Sequence, residues 1–226
     1  MGLQATDSPQ GIIQFTGSII DGKTVKINYN SLPGAHPKTL GYFVAIWQGS
    51  QIQALSAALQ TQKIATDDQA GTANFTGLSL ERQDYIIGFG VDFGAGTTIC
   101  ATLIVPQNAK PFDPLPSALS SVVVPDSAIG TNSLVATYVT PPYNTPQQNG
   151  NWIALFPGPF TANCFSGAGV ITSAQATSNN NTGSIAMNNI PNGLIRFETY
   201  TLVYVMSTKA GSPNYADTIS YYTFVV

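Results

Sequence analysis

The sequence predicts an all-β chain folded as two tandem antiparallel β-sandwiches of similar topology. Three observations predict it. Several short stretches alternate apolar and polar residues at a period of two, the pattern of a strand with one buried face. The order of proline, glycine and aromatic positions in the first half recurs 109 residues later. Hydrophobic residues make up 43% of the 226 and aromatics 10%, enough to build interiors for domains of about 100 residues.

Taken in order, residues 24–29 place Val25, Ile27 and Tyr29 on one face, and residues 133–138 do the same with Leu134, Ala136 and Tyr138. Residues 41–47 and 151–156 are continuous apolar runs, as in central strands covered on both faces. Late strands are expected at 85–92, 97–105, 200–206 and 218–226. One stretch, 50–63, has Ile52, Leu55, Leu59 and Gln60 near a helical period and is expected to form a short helix or an irregular crossover. About seven strands in roughly 100 residues point to an immunoglobulin-like (fibronectin-like) sandwich.

The repeat sets the domain count. Residues 12–49 align with 121–158 without a gap, placing Tyr29 on Tyr138, Pro33 on Pro142, Pro37 on Pro146, Gly41 on Gly150 and Gly49 on Gly158. Proline and glycine matches are the informative ones, because both residues fix backbone geometry. Further on, residues 71–75 resemble 183–187, and Tyr85 through Ala95-Gly96 resembles Tyr200 through Ala210-Gly211, so the second copy has longer loops. Residues 106–116 carry four prolines in eleven positions and read as a semi-rigid spacer. The expected division is a first sandwich at 1–105, a Pro-rich linker at 106–116 and a second sandwich at 117–226, each closing its own interior.

Residues 150–156, Gly-Asn-Trp-Ile-Ala-Leu-Phe, follow an alternating strand and a Pro-rich loop. This resembles a signature of the SKICH domain and of the fibronectin-like N-terminal domain of purple acid phosphatases. A weaker copy stands at 41–47. The resemblance covers about 35 residues of each half and implies a sandwich with Phe43 and Trp152 in its core, serving for binding or spacing. Asn151 and Tyr42 replace the signature's acidic residue, and Ala154 and Ala45 its second glycine, so no functional residue is carried over.

Only 8% of residues are charged, with Lys+Arg 8 against Asp+Glu 11, net charge −3 and an isoelectric point near 4.8. The cations are scattered singly, which disfavours a nucleic-acid partner, since phosphate binding needs them clustered. Neutral polar surfaces repel one another weakly, so self-association is favoured, in an extracellular or cell-surface layer, a filament or a protein inclusion. No run of 18 apolar residues is present, so no membrane span is expected, and residues 1–7 carry no signal-peptide pattern. Gly2 and Thr6 match a myristoylation pattern, for which an initiator Met and an incidental Gly are the plainer account.

Little in the chain suggests reactive chemistry. His36 is the single histidine and is read as an exposed loop residue. Cys100 and Cys164 allow one disulfide and are read as two buried free thiols. One His and two separated Cys do not supply a zinc site. Asp67-Asp68 is a candidate calcium contributor and more plainly a solvated turn. Glu81-Arg82 and Arg196/Glu198 are read as local surface ion pairs, and the glycosylation patterns at Asn74 and Asn180 as chance. No enzyme, cofactor or metal is expected.

Two functional readings remain open. In the first, the chain is a non-enzymatic structural protein that self-associates through an edge at Tyr222, Phe224, Val225 and Val226, so that deleting residues 224–226 removes assembly. In the second it is a carbohydrate- or host-surface-binding module, a lectin or toxin component. There Tyr143, Asn144, Gln147, Gln148 and Asn149 in one loop, with Phe160 and Asn163 in another, present aromatic rings and amides to a glycan. The plainer account of Tyr143 and Phe160 is that they cover the end of the sandwich.

Overall fold

In the computed structural model, which describes residues 10–93 and 98–226, the alternating stretches become antiparallel strands and the molecule is all-β. Gly2, Thr6, Ala95 and Gly96, singled out above, lie outside the described residues. The first half contains β1 (Gln10–Ile12), β2 (Gln14–Asp21), β3 (Thr24–Asn30), β4 (Phe43–Gln48), β5 (Gln60–Lys63), β6 (Ala70–Phe75), β7 (Tyr85–Gly90) and β8 (Ile99–Val105). The rest contains β9 (Ser117–Leu119), β10 (Ser121–Val123), β11 (Leu134–Val139), β12 (Trp152–Pro157), β13 (Thr172–Gln175), β14 (Thr182–Met187), β15 (Thr199–Val205), β16 (Thr208–Lys209), β17 (Ser212–Pro213) and β18 (Thr218–Val225).

Each sandwich pairs a three-stranded sheet with a five-stranded one. In the first the sheets are β2-β3-β6 and β5-β4-β7-β8-β9, and in the second β10-β11-β14 and β1-β18-β15-β12-β13. The leading strands are exchanged. β1 runs beside β18, with Gln10 opposite Tyr222 and Ile12 opposite Ser220. β9 runs beside β8, with Ser117 opposite Leu103 and Leu119 opposite Ala101. Each crossing takes one buried residue, Ile13 before β2 and Ser120 before β10. Ser120 is pinned by its N–H and its Oγ, both donating to the Cys100 carbonyl at 3.0 and 2.8 Å.

This exchange corrects the expectation of two self-contained interiors. Each five-stranded sheet would end on an open edge if its own half alone supplied strands, and the other half's leading strand covers that edge. One connected apolar cluster accordingly runs from Phe15, Ile27 and Phe89 to Leu155, Leu202 and Phe224. Residues 106–116 are likewise no extended spacer. The Asn108 N–H donates to the Leu80 carbonyl, the Phe112 N–H to that of Ile19 and the Ile104 N–H to that of Pro116, while Leu115 is buried. The segment is folded against the first half because Leu115 has an apolar seat there.

Alternation sets the faces. In β4, Val44 and Ile46 point with Tyr42 into the sandwich, and Phe43, Ala45 and Trp47 point out, yet all are buried. Ile52, Leu55 and Ala58 cover the outward face, and the Trp47 indole donates to the Ala54 carbonyl at 3.1 Å. Of the two forms expected over 50–63, a short helix or an irregular crossover, the structure shows the crossover, with a single 3-10 turn at Leu55–Ala57, followed by β5. Its apolar spacing serves a strap laid on a sheet. A strap with a 3-10 turn at Ala162–Phe165 covers Ala154, Phe156, Val203 and Val205 in the second half. Phe43 and Trp152 belong to these outer layers rather than to the sandwich interior, and Trp152 is only half-buried. Inside, Tyr29 lies over its cross-strand partner Gly71 and Tyr138 over Gly183, where any Cβ would strike the ring.

Candidate functional site

Residues 140–151, between β11 and β12, hold most of the amides singled out from the sequence, and many of them work inward. Asn144 Nδ2 donates to Asn151 Oδ1 at 3.0 Å, and the Tyr204 hydroxyl donates to the same oxygen at 3.0 Å. Asn149 Nδ2 donates to Asn144 Oδ1 at 2.5 Å, while its own Oδ1 accepts from the Thr145 hydroxyl at 3.1 Å. Asn181 Nδ2 braces the loop from outside, reaching the carbonyls of Pro141 and Asn144 at 2.7 and 2.9 Å. Burial pushes the Tyr204 hydroxyl well above its ordinary range, so it acts as a neutral donor. Asn144 and much of Asn149 are thus committed to holding the loop.

Tyr143 stands apart from this network. It is 48% exposed and sits in the left-handed region at φ +73°. Its loop faces the strap of the first half across a cleft of about 240 Å³. Ile52, Gln53, Ala54 and Ile99 line the first-half side, and Pro142, Tyr143, Asn144, Thr145 and Asn149 the other. Gln147, Gln148, Phe160 and Asn163 are not part of it. Gln147 and Gln148 are tied by backbone N–H groups to the Ser178 carbonyl and Asn179 Oδ1 at 3.1 and 3.0 Å. Phe160 stacks on Tyr221 at 4.0 Å between ring centroids and meets Phe165 edge-on, which makes it part of the second strap. Asn163 is exposed within that strap.

The expected assembly edge is also placed differently. Tyr222 lies between β1 and β15, opposite Gln10 and Leu202. Phe224 is buried opposite Tyr200, and the Val226 carbonyl accepts from the Phe197 N–H at 2.6 Å while its N–H donates to the Glu198 carbonyl. β1 covers β18 from Ser220 to Tyr222, and β15 flanks it from Thr218 to Val225. Deleting residues 224–226 would open the interior, so it is a poor probe of association. Val225 alone of the four is well exposed.

Two aromatics that sequence reasoning passed over are the most exposed large apolar residues described. Phe112 is 82% and Phe197 88% exposed, with φ of +69° and +65°. Phe112 is tethered beside the β2–β3 hairpin, and Phe197 lies beside the end of β18 with Ile195 and Val225 also exposed. The single-residue crossings join the opposite ends of the strands, so these aromatics mark the two outer tips. A signal was available. In a chain with few charges, Lys110 and Asp113 bracket Phe112, and Arg196 and Glu198 bracket Phe197.

The remaining candidates are structural. Both Asp67 carboxylate oxygens accept from Thr39, from its N–H at 2.8 Å and its hydroxyl at 2.9 Å, and these bonds hold its pKa below the usual value. His36 is exposed, and both cysteines are free and buried. Glu81, Arg82, Arg196 and Glu198 form no ion pair among the described residues, contrary to expectation, and each is exposed, where an ion pair gains little. No described helix is long and apolar enough to cross a membrane.

No family model and no curated protein matches the chain. Among solved structures it is similar to a mutant Salmonella alpha-2-macroglobulin, at TM-score 0.28 and 9% identity over 100% of this chain and 17% of that one. It is also similar to red sea bream transglutaminase, at TM-score 0.29 and 12% identity over 99% of this chain and 32% of that one. The chain spans less than a third of either protein, and likenesses this distant carry no argument about its role.

Proposed function

We propose that the chain is a non-enzymatic structural protein whose two sandwiches form one rigid unit and associate head to tail through their outer tips. The observation that carries this is the pair of bare phenylalanines, Phe112 at one tip and Phe197 at the other, each held outward by left-handed backbone. An aromatic in that conformation carries a backbone cost of about 1 kcal/mol and, when exposed, recovers nothing from the monomer's own interior.

A second copy of the chain is the occupant that fits. Arg196 and Glu198 at one tip are complementary to Asp113 and Lys110 at the other, so stacking the tips pairs both charges around the rings. Such a contact joins two different surfaces, so it propagates into a filament or layer instead of closing as a dimer. The scarcity of charge elsewhere leaves little repulsion to oppose it.

The test replaces each phenylalanine by asparagine, a residue that tolerates left-handed backbone. Sedimentation at rising concentration is expected to show large species for the native chain and monomers for Phe197→Asn and Phe112→Asn, with folding intact by circular dichroism. A native chain that stays monomeric, or variants that assemble unchanged, would refute the proposal.

A further inference from the structure

The turn carrying Tyr143 has a counterpart in the first half, and the two part company at one position. Pro33-Gly34 and Pro142-Tyr143 lie 109 residues apart, and Gly34 and Tyr143 are both left-handed, at φ +76° and +73°. Glycine takes that conformation without strain, whereas a tyrosine does so against its own Cβ. The surroundings are reciprocal as well. Gly34 faces the second strap, where a Cβ would stand 3.3 Å from that of Ala162. Tyr143 faces the first strap at Ile52–Ala54. One junction is shut, and its counterpart opens into the 240 Å³ cleft with Tyr143 at its rim. Packing does not explain a strained ring left half exposed there. A ligand stacked on that ring does.

We infer that this cleft binds a single neutral pyranose ring of a glycan. No charged side chain lines it, so neither a sulfated nor an acidic sugar finds a counter-ion. The Tyr143 ring with Pro142 on one side, and Ile52 with Ile99 on the other, offer apolar surface to the C–H faces of a pyranose. Each side also carries a polar group: on the first-half side the Gln53 amide makes no hydrogen bond among the described residues, and on the other the Thr145 hydroxyl, which donates to Asn149, keeps its lone pairs. These are matched donors and acceptors for ring hydroxyls. The volume lies below the roughly 300–1,000 Å³ of sites for drug-sized ligands, which suits one ring and excludes an extended oligosaccharide inside the cleft. The inference is independent of the proposed association, because no tip residue lines the cleft.

The experiment titrates the full chain, as its monomeric Phe197→Asn variant, with methyl glycosides of glucose, galactose, mannose and N-acetylglucosamine, and with sialic acid and glucuronic acid. Ligand-observed NMR and calorimetry are the readouts. At least one neutral glycoside is expected to bind in the millimolar range or tighter, with the two acids silent. Tyr143→Gly installs the residue that the first half carries at the same turn, so it is expected to fold with an unchanged or higher melting temperature and to weaken binding about tenfold or more. Tyr143→Phe is expected to stay within about threefold of the parent, because the ring face is kept and the hydroxyl plays no part. Silence from every neutral glycoside, binding confined to the acids, or affinity that survives Tyr143→Gly would each overturn the inference.

Discussion

Asn144 and Asn151 are joined side chain to side chain by a 3.0 Å hydrogen bond inside the second half, where both are buried. The Asn151 amide also donates to the Met206 carbonyl and accepts from the Tyr204 hydroxyl, so one residue ties the β11–β12 loop to the end of β15. Asn151→Ala leaves three buried partners unsatisfied and is expected to cost about 2–4 kcal/mol. Urea unfolding checks it, and a cost below 1 kcal/mol would mean that the network is dispensable.

Asp217 makes stability depend on pH. Its Oδ2 accepts from the Ser207 hydroxyl and from Asn214 Nδ2, while its Oδ1 and the nearby Tyr42 hydroxyl find no partner among the described residues. Burial, aided by the charge of Asp92, raises the carboxyl to about 6, against the opposing bonds from Ser207 and Asn214 and the charge of the exposed Lys209. Unfolded, the group titrates near 4. A raised carboxyl favours the protonated folded form, so its contribution is fully present below about pH 4 and is lost as pH rises through 6. The unfolding free energy from urea denaturation is expected to fall from pH 4 to pH 7, by up to about 3 kcal/mol from this group. Asp217→Asn is expected to flatten that slope, and an unchanged slope would assign it elsewhere.

Gly11 reports on the exchanged strand. It lies opposite Tyr221, and a Cβ at this position would run into the Tyr221 ring, itself stacked on Phe160. Gly11→Val is expected to lift β1 from β18 and destabilise the chain by about 1–3 kcal/mol. In hydrogen exchange the loss of protection is expected first at β18 and β15, although both lie at the far end of the chain from the substitution. Loss confined to β2 and β3 would deny the pairing.

The strands themselves were legible because their signal is local. Val25, Ile27 and Tyr29 declare a period of two, and the glycines at 41, 49, 150 and 158 recur because the same left-handed turns recur, at φ +73°, +91°, +68° and +76°. The strand exchange was not legible. β1 is the three residues Gln-Gly-Ile, with no alternation to read, and its partners stand at the far end of the sequence. Residues 50–63 suggest either a short helix or an irregular crossover, because a strap crossing a sheet also presents apolar residues every three or four positions. Asn151 read only as a departure from a family pattern, since nothing in sequence order brings Asn144, Tyr204 and Met206 around it. The amides of residues 144–149 read as a binding surface for the same reason: composition shows that an amide is present and not which way it turns.

Mixing two crippled chains tests head-to-tail association most directly. Phe112→Asn keeps an intact tip at Phe197, and Phe197→Asn keeps one at Phe112, so each alone is expected to sediment as a monomer. Combined in equal amounts they are expected to form a species of twice the 23.8 kDa chain mass and to grow no further, because the joined pair has only spoiled tips left. A mixture that stays monomeric at concentrations where the native chain assembles, or one that grows past two chains, would contradict the account.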